Sequence, residues 1–238
     1  MSGWSVVRWT GSLGLAAIVA QLVGFIALFF VTAQAGTPPS FGDAPKVLAF
    51  VKNGHGAYTT ALLVYFVGFA LFLGFLGGLR AVAAAAAPDH EWLATTTFGA
   101  GVAVVVILYV SLGLNLAVLA MAVSSTADPV LVRGLFETSG VVGAAPALVP
   151  AAFFLGAAGS LGAATKILPR WLALAGWIGS VLVLITALSA YAGSDPTAFW
   201  SADGTLTVLA IQLPLFVWTL GASVVFVRQK GAVVRLYK

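Results

Sequence analysis

The sequence contains no cysteine. That removes disulfides, thiolate-ligated zinc, iron–sulfur clusters and thiol catalysis together. It is almost as poor in charge: Asp, Glu, Lys and Arg make up 8% of 238 residues, against roughly 25% in an ordinary soluble domain. So few charges cannot clothe a water-facing surface of this size. Histidine occurs twice, at His55 and His90. No H-E-x-x-H, G-x-S-x-G, P-loop or S-x-x-K motif is present. The sequence therefore nominates no catalytic residue, no cofactor and no metal ligand.

What remains is apolar. Hydrophobic residues are 61% of the chain and the mean hydropathy is +1.08. A membrane helix needs about 20 mainly apolar residues to cross a hydrocarbon core of ~30 Å. Six stretches qualify, at about 13–32, 58–79, 97–123, 146–165, 171–191 and 206–227. None holds an Asp, Glu, Lys, Arg or His. The fold class is therefore all-α, a single polytopic domain in which six transmembrane helices form a bundle. The net charge of +4 does not indicate nucleic acid, because the basic residues are scattered at segment ends rather than gathered in a stripe. The partner that composition implies is the lipid bilayer, with a second copy or another membrane protein as further partners. Abundant Ala, Gly and Val with few Lys point to a bacterial cell membrane.

The first stretch has a second reading. It follows Arg8 and ends in Ala33-Gln34-Ala35, an A-x-A pattern of the kind signal peptidase cleaves. Signal-peptide apolar regions usually run only 7–15 residues, so a retained first helix is expected. The basic residues then set the orientation. With the N-terminus inside, Arg8, Arg80, Lys166, Arg170, Arg228, Lys230, Arg235 and Lys238 fall on the cytoplasmic side, and Lys46, Lys52 and Arg133 outside. Both termini are expected in the cytoplasm.

Two outer loops carry helix signals. Asp43 and Pro45 read as a helix start and Asn53-Gly54 as its stop, giving a short amphipathic interfacial helix near 44–52. It serves either as a lid over a cavity or as a seal resting on lipid. Asp128-Pro129 opens a second outer helix over 129–140, either separate or a projecting extension of the fourth span. The cytoplasmic loop at 82–93 places His90 and Glu91 on the side opposite His55, so the histidines cannot share a metal. Asp-Pro and Asp-Gly mark turns in the outer loop at 192–205, where Phe199 and Trp200 would anchor at headgroup level.

Glu137 is the residue on which a functional reading turns. Counting back ~20 residues from Lys166 puts the membrane boundary near Pro146, which leaves Glu137 on the outer helix, four residues from Arg133 on the same face. The alternative is a single tilted helix that draws Glu137 into an outward-facing cavity, where an ionisable group is a functional candidate by default. Inside the spans, Ser111 and Asn115 share a face of the third helix, near Tyr109. Gln212 precedes Pro214 in the sixth. These side chains either bond helices together or line a ligand pocket made of Ser111, Asn115 and Gln212 with Glu137 at its mouth. Small residues recur at four-residue spacing at Ala70-Gly74-Gly78, Gly156-Ser160-Ala164 and Gly176-Ser180. Such strips favour a tight bundle over a wide aqueous pore.

The stretch ATKILPRWLALAGWIGSVLVLITAL at 164–188 joins a short basic loop to Leu168-Pro169-Arg170-Trp171 and a glycine-containing span. With VLAFVKNGHGAYTTALL and an Asp-Pro helix before the fourth span, it resembles a broad group of uncharacterised six-span bacterial integral membrane proteins. That resemblance implies the six-helix fold and carries no activity, cofactor or site residue. Three functional readings follow: a non-enzymatic accessory or interaction module, a carrier for a small apolar or amphipathic molecule or lipid, and, least supported, a membrane-embedded enzyme.

Overall fold

The computed structural model describes residues 3–36, 39, 42–192, 199 and 205–229, and among them there is no strand. The helices are α1 (Gly3–Ala35), α2 (Ala44–Ala86), α3 (Glu91–Ala122), α4 (Pro129–Gly143), α5 (Ala145–Thr165), α6 (Arg170–Thr186) and α7 (Thr205–Arg228), with 3-10 turns at Pro88–His90 and Ala187–Ala192. Five helical segments are long and apolar enough to cross a membrane, and α7 contributes a shorter apolar stretch from Gln212 to Arg228. The five long segments fall on the first five of the six stretches expected from the sequence, and the shorter one falls on the sixth. The turn signals of the loop at 192–205, Trp200 and the basic residues at 230–238 lie outside the described residues.

The long helices close a ring. In it α1 packs on α2, α2 on α3, α3 on α5, α5 on α6, α6 on α7, and α7 returns to α1. Aromatic side chains pack at the centre of the ring. Phe72 stacks on Phe75 at 5.8 Å, Phe154 meets Phe72 edge-on at 5.8 Å, and Trp218 meets Phe154 edge-on at 5.5 Å. Phe75, Phe154 and Trp218 are fully buried. The Trp218 indole N–H donates to the Leu172 carbonyl at 3.1 Å, which satisfies the one polar atom the ring carries into an apolar core.

Small residues let these backbones meet. A methyl placed on Gly176 of α6 would stand 2.7 Å from the Leu155 carbonyl oxygen and 2.9 Å from Gly159 Cα on α5. The Ser180 hydroxyl donates to the Ala152 carbonyl at 2.8 Å across the same contact. Gly78 lies against Thr10 and Gly74 against Leu13, where α2 crosses α1. Ala70 and Ala164, the remaining members of two of the small-residue strips, face outward.

Helix α2 corrects one expectation. It does not stop at Asn53-Gly54; the segment from Ala44 runs without a break into the apolar stretch, for 43 residues in all. At ~1.5 Å per residue that is ~65 Å, about twice the thickness of a hydrocarbon core. The weak helix formers there are overruled by packing. Val47, Phe50 and Val51 are buried against α3, α4 and the end of α1 rather than laid on a lipid surface. Gly54 is where Val31 of α1 comes close, a site with no room for a side chain.

Helix α4 is separate from α5. Asp128 caps it through a 2.9 Å bond from the Val130 N–H, Pro129 occupies its first turn, and it ends at Ala144, whose φ of −90° and ψ of −99° leave the helical region. Proline at 146 then sits in the first turn of α5, where its missing N–H costs nothing. Glu137 therefore stands on a short helix of its own, not in a tilted continuation of α5.

Candidate functional site

The start of α2, the end of α3 and α4 pack into a cap at one end of the ring, around Val47, Phe50, Val51, Val118, Leu119, Ala122 and Val132. Phe50 meets Phe136 of α4 edge-on at 6.2 Å. This cap holds three of the four polar residues singled out by the sequence.

Ser111 and Asn115 are one turn apart on α3, and both are buried. The Tyr58 hydroxyl, from α2, donates to Asn115 Oδ1 at 2.7 Å. Asn115 Nδ2 donates to the Ser111 carbonyl at 3.2 Å. The Ser111 hydroxyl donates to the Ser139 carbonyl of α4 at 2.8 Å, and the Ser139 hydroxyl donates to the Phe136 carbonyl at 2.7 Å. The chain joins α2, α3 and α4 and ends on the backbone of α4. Burying polar groups is cheap only when they are paired, and here each side chain finds its partner within the chain.

Glu137 and Arg133 work at the rim. They are an ion pair at 3.6 Å, with side chains 24% and 32% exposed. Glu137 Oε1 accepts from the Gly42 N–H at 2.9 Å, and Arg133 Nη1 donates to the Gly42 carbonyl at 3.1 Å. One peptide segment is thus gripped at both its polar groups, just ahead of α2. Gly42 has a φ of +107°, a conformation open to glycine and strained for other residues. The next residue, Asp43, caps α2 by accepting from the Lys46 N–H at 3.2 Å and pairs with the Lys46 ammonium at 2.7 Å. Those contacts, the Lys46 side chain foremost, hold the Asp43 carboxyl below its usual range. They also raise the Lys46 ammonium above its own.

Gln212 does not join this group. It lies on α7, whose neighbours are α1, α6 and α5, whereas α3 packs between α2 and α5. Tyr109 is also separate: its hydroxyl donates to the Phe66 carbonyl at 3.0 Å and its ring stacks on Phe66. His55 and His90 sit far apart, with roughly 46 Å of α2 between His55 and the helix end at ~1.5 Å per residue. Among the described residues no three of His, Asp and Glu are grouped to hold a metal.

Sequence reasoning missed Tyr58, Ser139 and Gly42. Tyr58 had a usable signal, as a tyrosine at the polar-to-apolar transition of α2. Gly42 had none, since it lies 95 positions from Glu137 and only the packing of α4 on α2 brings them together. No protein-family model matches the chain, and no curated protein or solved structure resembles it significantly.

Proposed function

We propose that the chain is a six-span membrane protein of the bacterial cell membrane, with both termini cytoplasmic, α1 retained and the cap outside the hydrocarbon core. It acts without catalysis, as an accessory or interaction module. The observation that carries this reading is how the carboxylates are used. Asp43 and Asp128 cap helices, Glu91 pairs with Arg80 at 3.1 Å, and Glu137 grips Gly42 and Arg133. Each of these four is spent on structure, Asp89 is exposed in the turn after α2, and Asp195 and Asp203 lie outside the described residues; an acid–base mechanism needs carboxylates that converge on a substrate.

Other features support the topology. Trp9, Trp92 and Trp171 are all more than half exposed, at the starts of α1, α3 and α6. These starts lie at the end of the ring away from the cap, beside Arg8, Arg80 and Arg170. Exposed tryptophans with basic neighbours mark a cytoplasmic membrane interface. The first 14 or so residues of α2 extend beyond the apolar stretch that begins near Tyr58, by ~20 Å at 1.5 Å per residue. The cap is thereby lifted into water with Glu137 on its edge.

The cap has a face to offer. Val130, Leu131 and Val141 of α4 are exposed, while Val132 and Ser139 point inward. A partner in the membrane, or a second copy, fits such a face. A carrier pocket between α3, α5 and α7 has less in its favour, because aromatic side chains fill the ring centre and Gln212 stands apart from Asn115. A photoreactive residue at Leu131 tests the proposal, with Ile178 on the outward face of α6 as control. A discrete protein adduct at Leu131, absent at Ile178 and lost in Val130→Glu, supports it. Lipid adducts alone at both positions overturn it.

A further inference from the structure

At the end of the ring opposite the cap, α6 and α7 leave an open-sided groove of about 700 Å³ between them. Val217, Leu220, Gly221, Val224 and Val225 line it from α7, with Pro169 and Trp171 as the wall from the α6 side and Arg228 and Gln229 at the end. The α7 residues recur at three- and four-residue spacing, so they form one stripe of the helix, ~16 Å long from Val217 to Arg228. The groove therefore runs along the helix axis, apolar over most of its length and cationic at one end. Its volume falls within the ~300–1,000 Å³ usual for sites that hold a small molecule.

The charge at that end is uncompensated. Arg228 is exposed, and no carboxylate lies within ion-pair distance of it among the described residues. Of the acidic residues at the same end, Glu91 is taken by Arg80, and Asp89 is exposed in the turn after α2 and forms no ion pair with Arg228. The N-terminus of α6 opens beside the groove at Pro169, with Arg170 in its first turn, which adds positive potential. The Gln229 amide donates to the Ile167 carbonyl at 3.1 Å, which fixes this end of α7 against the α5–α6 turn. Trp171, half exposed, flanks the opening.

We infer that this groove is a binding site for one anionic glycerophospholipid of the cytoplasmic leaflet. An acyl chain lies along Val217–Val225 and the headgroup phosphate meets Arg228 and the start of α6. The fit is one of direction as well as charge. A lipid tail runs parallel to a spanning helix, and its anionic group sits where tryptophan and arginine mark the interface. A neutral helix of a partner would leave Arg228 unpaired. The site rests on the membrane topology proposed above but not on the interaction reading of the cap, since it lies at the other end of the molecule.

The test is native mass spectrometry of the whole protein, equilibrated in micelles holding equal amounts of phosphatidylglycerol and phosphatidylcholine with the same acyl chains. The wild type is expected to keep one phosphatidylglycerol, with a preference of about fivefold, the effect of one basic residue at a membrane surface. Arg228→Gln removes the preference, whereas Arg80→Gln, at the same end but paired with Glu91, keeps it. Val224→Trp, which fills the groove, lowers retention of both lipids. Equal retention of the two lipids by the wild type overturns the inference, as does an unchanged preference in Arg228→Gln. Competition by glycerol phosphate as strong as by the intact lipid overturns it too, because the apolar groove would then contribute nothing.

Discussion

Gly176→Ala puts one methyl group into the tightest contact between α5 and α6. The new carbon would lie 2.7 Å from the Leu155 carbonyl oxygen, 2.9 Å from Gly159 Cα and 3.0 Å from Gly159 N. All three are backbone atoms, so no rotamer change relieves the crowding and the helices themselves must part. Overpacking of this kind costs about 1–3 kcal/mol. Alanine returns about 0.8–1 kcal/mol of helix propensity over glycine. The net expectation is a loss of up to about 2 kcal/mol. Gly113→Ala on α3 isolates the packing effect, because a methyl there meets nothing within 4 Å and only the propensity gain remains. Denaturation in a mild detergent, followed by helical circular dichroism as SDS is titrated in, compares the two variants. Gly176→Ala should unfold at lower SDS than the wild type, and Gly113→Ala at the same or higher. If Gly176→Ala matches or exceeds the wild type, or if both variants shift equally, backbone contact at Gly176 is not what joins α5 to α6.

Asn115→Leu removes the acceptor of the Tyr58 hydroxyl; it should lower stability by about 0.6 kcal/mol and by no more than ~1.7. Tyr58→Phe added to it should cost little more, which a double-mutant cycle in the same detergent assay reads. Lys166 ends α5 with a φ of +56°, a left-handed conformation that costs a non-glycine residue about 1–2 kcal/mol, so Lys166→Gly should raise stability by about 1 kcal/mol in that assay. The Asp43 carboxyl is held below its ordinary pKa of 3.8 by Lys46. A depressed carboxylate stabilises the fold above its unfolded pKa, and the contribution is lost as pH falls through the lower, folded value. The protection of the amides in the first turn of α2 over those of Asp43→Asn, at matched pH, should therefore hold from neutral pH down to about 4 and be lost only below it.

The long apolar helices were legible because absence of charge over ~20 residues is a strong signal for a lipid-facing helix. The division between α4 and α5 was legible too. Asp128-Pro129 starts one helix, and Pro146 sits most readily in the first turn of another. The continuation of α2 through Asn53-Gly54 was not. Those residues are turn formers by propensity, but propensity is worth ~1 kcal/mol at most per residue, and burial of Val47, Phe50 and Val51 outweighs it. The polar cluster was half legible. Ser111 and Asn115 declared themselves by sharing a face of one helix, whereas which helices face them depends on ring order. That order puts Tyr58 and Ser139 beside Asn115 and Ser111, and Gln212 on a helix that α3 does not pack against. The Glu137–Arg133 pair followed from i,i+4 spacing, but its grip on Gly42 is a contact between distant parts of the chain.

The measurement that bears most directly on the topology and on the place of the cap uses the natural absence of cysteine, so that single cysteines report without background. Thr138 is exposed on α4, and Asp89 is exposed in the turn between α2 and α3. Thr138→Cys and Asp89→Cys are each expressed in cells and treated with a membrane-impermeant maleimide, before and after permeabilisation. The expected result is labelling of Thr138→Cys in intact cells and of Asp89→Cys only once the membrane is opened. Labelling of Asp89→Cys in intact cells, or protection of Thr138→Cys until permeabilisation, would contradict both the orientation and an aqueous position for Glu137.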